Sequence, residues 1–316
     1  MDTLIEVEQL TRDYGDHRAV NGISFCLKRG EVLGFLGPNG AGKTSTMQMI
    51  CGNLAPTFGA IRVLGIDLLD APREAKRHLG YLPEIPPVYR DLTVDEYLTY
   101  CGRLHALSRS QVGGAVASAK ARTGLEDVGR RLIGNLSKGF QQRVGIAQAI
   151  IHNPEVVVLD EPTVGLDPIQ IQEIRSLIRE LGRDHGVILS THILSEVQAV
   201  CNHVQIIHRG ALVLDSSIDR LDQRMRASSL VLRLTSPAPE GFLEAIPGIQ
   251  HIEPLAGVRY RLFHDALEDP AASVAAAVVH QNLGLLELTP ERRSMEDLFI
   301  ELTQGTEPAE SEGGGS

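Results

Sequence analysis

Gly37-Pro38-Asn39-Gly40-Ala41-Gly42-Lys43-Thr44 fits the pattern G-x-x-x-x-G-K-[ST] without a mismatch. The segment before it, 31–36, reads as a buried strand. The segment after it, 45–50, carries apolar residues at helical spacing and stops at Gly52-Asn53. A strand that feeds a helix through glycines restricts the chain to an α/β sheet with its ligand at the strand ends. The glycines let the backbone turn its N–H groups inward, and the helix N-terminus adds partial positive charge. Residues Gly37 through Ser45 therefore read as a cradle for a nucleoside triphosphate. Lys43 reaches the β- and γ-phosphates, and Thr44 offers its hydroxyl to Mg²⁺.

The remaining chain divides around that loop. Segments 4–10 and 18–27 alternate apolar and polar residues, as strands of a half-exposed antiparallel sheet do, with a polar turn at 12–16 between them. Segment 59–64 predicts another strand and 72–79 a short helix. The stretch 83–93 holds Pro83, Pro86 and Pro87 and reads as a surface loop. Helices are predicted over 94–107, 111–123 and 138–151. The unbroken run Val156-Val157-Val158-Leu159 is what a strand covered on both faces requires. A helix over 169–183, a strand over 186–190 and a helix over 194–200 complete an alternating pattern.

Past residue 220 no phosphate motif recurs. Strands at 230–234, 260–263 and 285–289 with a helix at 270–281 predict a small α+β domain. The expected partition is 1–220 for an ATP-binding domain, 228–303 for the α+β domain and 304–316 for a disordered tail. The ending Gly313-Gly314-Gly315-Ser316 has the composition of an added linker.

At 316 residues and a formal charge of −10, the chain lacks the basic surface that phosphate backbones demand, so no nucleic-acid partner is expected. No apolar run approaches the roughly 20 residues that span a bilayer, and no signal peptide opens the chain. Cys26, Cys51, Cys101 and Cys201 are scattered, with no C-x-x-C pair, which suggests reduced thiols in a cytosolic protein.

Hydrolysis needs a metal ligand and a base near the γ-phosphate. Asp160 and Glu161 end the buried strand, where an α/β sheet places its ligand. Asp160 would hold Mg²⁺ through its water shell, and Glu161 would polarise the attacking water. Two acids ending a strand are otherwise ordinary helix-capping residues.

Leu136-Ser137-Lys138-Gly139-Phe140-Gln141-Gln142-Arg143 resembles the signature motif of ABC transporter ATPases. The Asp160 block, Gly165-Leu166-Asp167-Pro168 and Ser190-Thr191-His192 match that family in kind, order and spacing over residues 1–220. The resemblance implies two ATPase domains paired head to tail, with each nucleotide between one phosphate loop and the partner's signature. Ser137 and the backbone of Gly139 would then contact the γ-phosphate across the interface; Ser137 also suits a plain helix N-cap. His192 would sense the γ-phosphate, Asp167 would link the two sites, and Tyr14 would stack on adenine.

Two motifs depart from the family pattern. Lys138 and Phe140 replace the third and fifth residues of the usual Leu-Ser-Gly-Gly-Gln, and Glu84 stands where a glutamine normally touches Mg²⁺ and the attacking water. The Pro-Glu variant, together with the segment from Ser294 to Thr303, resembles ATPases of ABC-2-type exporters, among them the gliding-motility and copper-processing groups. The resemblance thus implies a separate integral-membrane permease docked on residues 84–107, with the chain peripheral on the inner face of the cell membrane. A soluble ABC-type ATPase that remodels a non-membrane partner is the alternative. A small-molecule kinase has no use for the signature motif.

Overall fold

The computed structural model describes residues 2–224, 229–265, 269–291 and residue 299. The segment 294–303, which carries part of the resemblance to ABC-2-type exporter ATPases, lies outside the described residues except for Phe299, and so does the tail 304–316. The chain forms two compact units, Met1–Ile218 and Asp219–Ser316.

The first unit begins with β1 (Thr3–Tyr14), β2 (His17–Lys28) and β3 (Val32–Leu36), followed by α1 (Lys43–Ile50), β4 (Phe58–Val63) and β5 (Ile66–Asp67). Next come α2 (Pro72–Ala75), β6 (Leu79–Leu82), α3 (Val94–Leu104), α4 (Arg109–Thr123) and α5 (Lys138–Ile150). It continues with β7 (Val156–Asp160), α6 (Pro168–Asp184), β8 (Gly186–Thr191), α7 (Leu194–Val200), β9 (His203–His208) and β10 (Ala211–Ser217). The order β2-β1-β4-β5 makes an antiparallel sheet, and β10-β9-β3-β8-β7-β6 a second sheet. In the second sheet β6, β7, β8, β3 and β9 are parallel, and β10 closes one edge antiparallel to β9.

Burial explains why the strands read as they did. Every residue of β3, β7 and β8 is buried, because a parallel sheet is covered on both faces, here with Leu4 and Leu27 of the antiparallel sheet against Gly186 of β8. The antiparallel β1 and β2 bury one side only. One core joins the two sheets through α1, whose Met47, Met49 and Ile50 pack with Leu4, Phe25 and Phe35. The register aligns the sheet's carboxyl edge: Leu36 lies beside Thr191, and Asp160 beside Ser190. The loops that leave β3, β7 and β8 therefore meet on one rim.

Several expected boundaries differ. The polar turn at 12–16 is only Gly15-Asp16, because Arg12, Asp13 and Tyr14 pair with Val20, Arg18 and His17, and Arg18 bonds Asp13 at 2.8 Å across the strands. The helix expected over 72–79 ends at Ala75, passes through one 3₁₀ turn and becomes β6, which pairs with β7. Five strands had no sequence expectation: β5, β6, β9, β10 and, in the second unit, β12 (Ile249–Leu255).

The boundary helix α8 (Ile218–Arg224) leads to β11 (Ser229–Leu234), β12 (Ile249–Leu255), β13 (Arg259–His264), α9 (Ala271–His280) and β14 (Leu285–Glu291). The strands form an antiparallel sheet in the order β12-β13-β11-β14. Leu230, Leu232, Leu234 and Leu262 of the sheet pack with Val274 and Val278 of α9 into a separate core.

Candidate nucleotide site

The turn from β3 into α1 depends on Gly42. It takes φ +107°, and a Cβ there would stand 2.3 Å from the Ala19 carbonyl. The helix it opens has no side-chain cap and no acidic residue in its first turn, which leaves the N–H groups and the positive end of the dipole to an anion. Lys43 is buried and folds back into the loop. Its Nζ donates to the Gly37 carbonyl at 2.8 Å and the Pro38 carbonyl at 3.2 Å, and lies 3.6 Å from Glu161 Oε1. A carboxylate thus stands where an anionic ligand of Lys43 belongs.

Glu161 leaves β7 at φ +48°, a left-handed conformation that costs a non-glycine residue about 1–3 kcal/mol. Its N–H donates to the Ser190 carbonyl at 2.9 Å, which ties the strained residue to β8. His192 Nδ1 lies 2.9 and 3.0 Å from the two carboxylate oxygens. An ionised carboxylate only accepts, so Nδ1 carries the hydrogen. Asp160 is fully buried, and no hydrogen bond meets either of its carboxylate oxygens. Burial pushes the Asp160 carboxyl above the ordinary carboxylate range. The hydroxyls of Ser190 and Thr44 stand close enough to draw it partly back without bonding either oxygen in full geometry, while the charges of Glu161 and Glu84 raise it further.

These groups surround one cavity of about 470 Å³. Of the residues picked out from sequence, Tyr14, Asn39, Gly40, Gly42, Lys43, Thr44, Ser45, Glu84, Glu161 and His192 line it. Gly37, Pro38 and Ala41 shape the loop, and Asp160 lies beneath. His17, Ala19 and Val164 also line it and had no sequence expectation. His17 was findable, since a two-residue turn sets it opposite Tyr14 in the β1–β2 register. The Tyr14 hydroxyl lies 3.4 Å from Ser45 Oγ, and the Arg12 guanidinium sits 4.7 Å from the Tyr14 ring centre.

Ser137, Gly139 and Asp167 do not line that cavity. Ser137 is exposed and caps α5, accepting from the Phe140 N–H at 3.4 Å. Gly139 is buried against the Gln170 side chain. Asp167 caps α6 through bonds of 3.0 and 2.9 Å from the N–H groups of Ile169 and Gln170. No three or more His, Cys, Asp or Glu among the described residues are arranged to hold a metal ion by themselves. No helix among them is long and apolar enough to cross a membrane.

A buried lysine in a glycine loop, a helix N-terminus and strand-end acids on a parallel sheet define a phosphate-loop nucleoside triphosphatase. Comparison with known proteins narrows the class: residues 20–164 match the family "ABC transporter". The chain is 32% identical to the uncharacterized ABC transporter ATP-binding protein YxlF of Bacillus subtilis, over 95% of this chain and 99% of that protein. It is 30% identical to the linearmycin resistance ATP-binding protein LnrL of Bacillus subtilis, over 96% and 99%. With the bacitracin transport ATP-binding protein BcrA of Bacillus licheniformis it shares 38% identity over 72% and 74%. A solved ATP-binding subunit of an ABC transporter superposes with a TM-score of 0.63 at 31% identity, covering 70% of this chain and 92% of that one. The chain belongs to the ATP-binding subunits of ABC transporters, ATPases of exporter type that act with a separate permease.

Proposed function

We propose that the chain powers an ABC-2-type exporter as a head-to-tail pair at the cytoplasmic face of the cell membrane, with the chemistry in 1–220 and an auxiliary role for 228–303. The carrying observation is the buried Glu161 carboxylate, held in a strained turn between Lys43 and His192 on the cavity wall. ATP would replace that carboxylate as the partner of Lys43, with its phosphates on the N–H groups of Gly37 through Ser45 and its adenine on Tyr14. Glu161, released from Lys43, accepts the proton of the attacking water, and His192 holds the γ-phosphate side. Ser137 and Gly139 of the second copy close the site, and Asp167 couples the two.

The residues around Asp160 suit Mg²⁺: a buried carboxylate with both oxygens unmet, the Thr44 hydroxyl and Glu84 nearby, and oxygen donors of the kind that hard cation takes. Bound there with ATP, Mg²⁺ would offset negative charge on the phosphates.

The permease surface fits residues 84–107. Ile85 is 82% and Leu104 67% exposed, while Tyr89 lies 5.8 Å from Tyr100 and 5.9 Å from Tyr97, ring centre to ring centre. Val94, Leu98 and Cys101 of α3 face the core. An apolar, aromatic patch of this kind suits a helix from a membrane protein.

Glu161→Gln keeps the side-chain shape and removes the base. ATP binding should persist, hydrolysis should fall by roughly 10²–10⁴, and ATP-locked dimers should accumulate on size exclusion. Near-normal phosphate release would remove Glu161 from that role.

A further inference from the structure

Behind the cavity wall lies a carboxylate that the chemistry above does not use. Glu196, in the first turn of α7, is 2% exposed. It accepts a 2.8 Å bond from the Thr191 hydroxyl and a second from the Thr163 hydroxyl. Thr191 directly precedes His192, and Thr163 lies two residues past Glu161. Thr191 Oγ1 also accepts the Ile193 N–H at 3.1 Å, so the turn that carries His192 is bonded on both sides.

We infer that Glu196 is a positioning residue: its buried carboxylate clamps the loop after Glu161 to the turn bearing His192, and so sets the distance at which imidazole and carboxylate meet. Glu196 does not line the cavity and touches no reacting group. Its bonding partners are both neutral hydroxyls, and among the described residues it has no cationic partner at ion-pair distance. Burying a carboxylate on such terms costs more than an apolar side chain of that size would. Packing alone therefore gives no reason for it. Fixing two hydroxyls on two separate segments does, because no single neutral acceptor reaches both with equal strength. The alternative, a cap for α7, fails on geometry: the Ile193 N–H goes to Thr191 rather than to Glu196.

The inference rests on Glu161 and His192 acting as a pair, so the test is a double-mutant cycle with His192→Ala in the full chain, using Mg²⁺-ATP. Glu196→Gln should lower kcat about tenfold, while the ATP dissociation constant stays within about twofold. Thr163→Val, which leaves the carboxylate and removes one donor, should give a smaller loss of the same kind. In the His192→Ala background Glu196→Gln should cost less than about twofold, because the geometry it sets no longer matters. If Glu196→Gln does not fold, Thr163→Val carries the same cycle. Undiminished kcat in Glu196→Gln, a parallel fall in ATP affinity and melting temperature, or an undiminished loss in the His192→Ala background would each overturn the inference. Full turnover in His192→Ala alone would instead overturn the pairing of His192 with Glu161, and the inference with it.

Discussion

Glu84 adds a negative charge to a cavity that must receive several more. Its carboxylate lines the nucleotide cavity and, with Glu161, raises the proton affinity of the buried Asp160. Glu84→Gln removes one like charge beside the phosphates. Measured without Mg²⁺, ATP affinity should therefore rise. Steady-state turnover with Mg²⁺ should stay within about tenfold, no more than 1.4 kcal/mol of barrier. Complete loss of turnover would mean that Glu84 does chemistry no amide can replace. At this scale the sequence was informative where a residue's role follows from local geometry. The glycine loop and the acids ending β7 need only a strand and a turn to find their places. It was silent on Thr163, Thr191 and Glu196, because an acid in the first turn of a helix has a commonplace explanation. Only the fold brings the three together.

Among the elements, each one missed has its own physical cause. The hairpin β9–β10 turns on Arg209 and Gly210, both at positive φ, as a two-residue turn between antiparallel strands requires. Arg-Gly is a weaker turn signal than Asn-Gly, and His203 and His208 at its ends blur the apolar run. The strand β6 has four residues and follows a 3₁₀ turn with no glycine or proline between, so helical spacing ran into it. The strand β12 carries Pro254, tolerable because it lies at the edge of its sheet. By contrast β7 and α6 were legible: the first is apolar up to its last residue, Asp160, and the second begins at Asp167-Pro168, a cap followed by proline at the first helical position. Every residue lining the cavity precedes α8. A chain ending at Asp219 should therefore bind ATP with the affinity of the full chain, read by equilibrium titration. A folded truncation that binds no nucleotide would place a support of the site in the second unit.

In the molecule as a whole, Lys43 lines the cavity while Ser137 is exposed elsewhere on the same unit. Lys43→Ala and Ser137→Arg should each abolish turnover alone, yet mixing them allows pairs in which both lesions fall in one site. Random pairing makes half the dimers mixed, each with one intact site of two, so activity should recover to about a quarter of wild type. No recovery from folded mutants shown to exchange subunits would refute the shared site. In the proposed head-to-tail pair, that separation of Lys43 from Ser137 would also set the kinetic order of the reaction. On that proposal a single chain carries two unmatched halves and should be idle until it meets another. Below the concentration at which pairs persist, the rate goes as the square of protein concentration, and dilution alone is an off switch. A permease that held two chains side by side would lift that dependence, and on this proposal the membrane partner should raise turnover by supplying local concentration before it touches a single catalytic group.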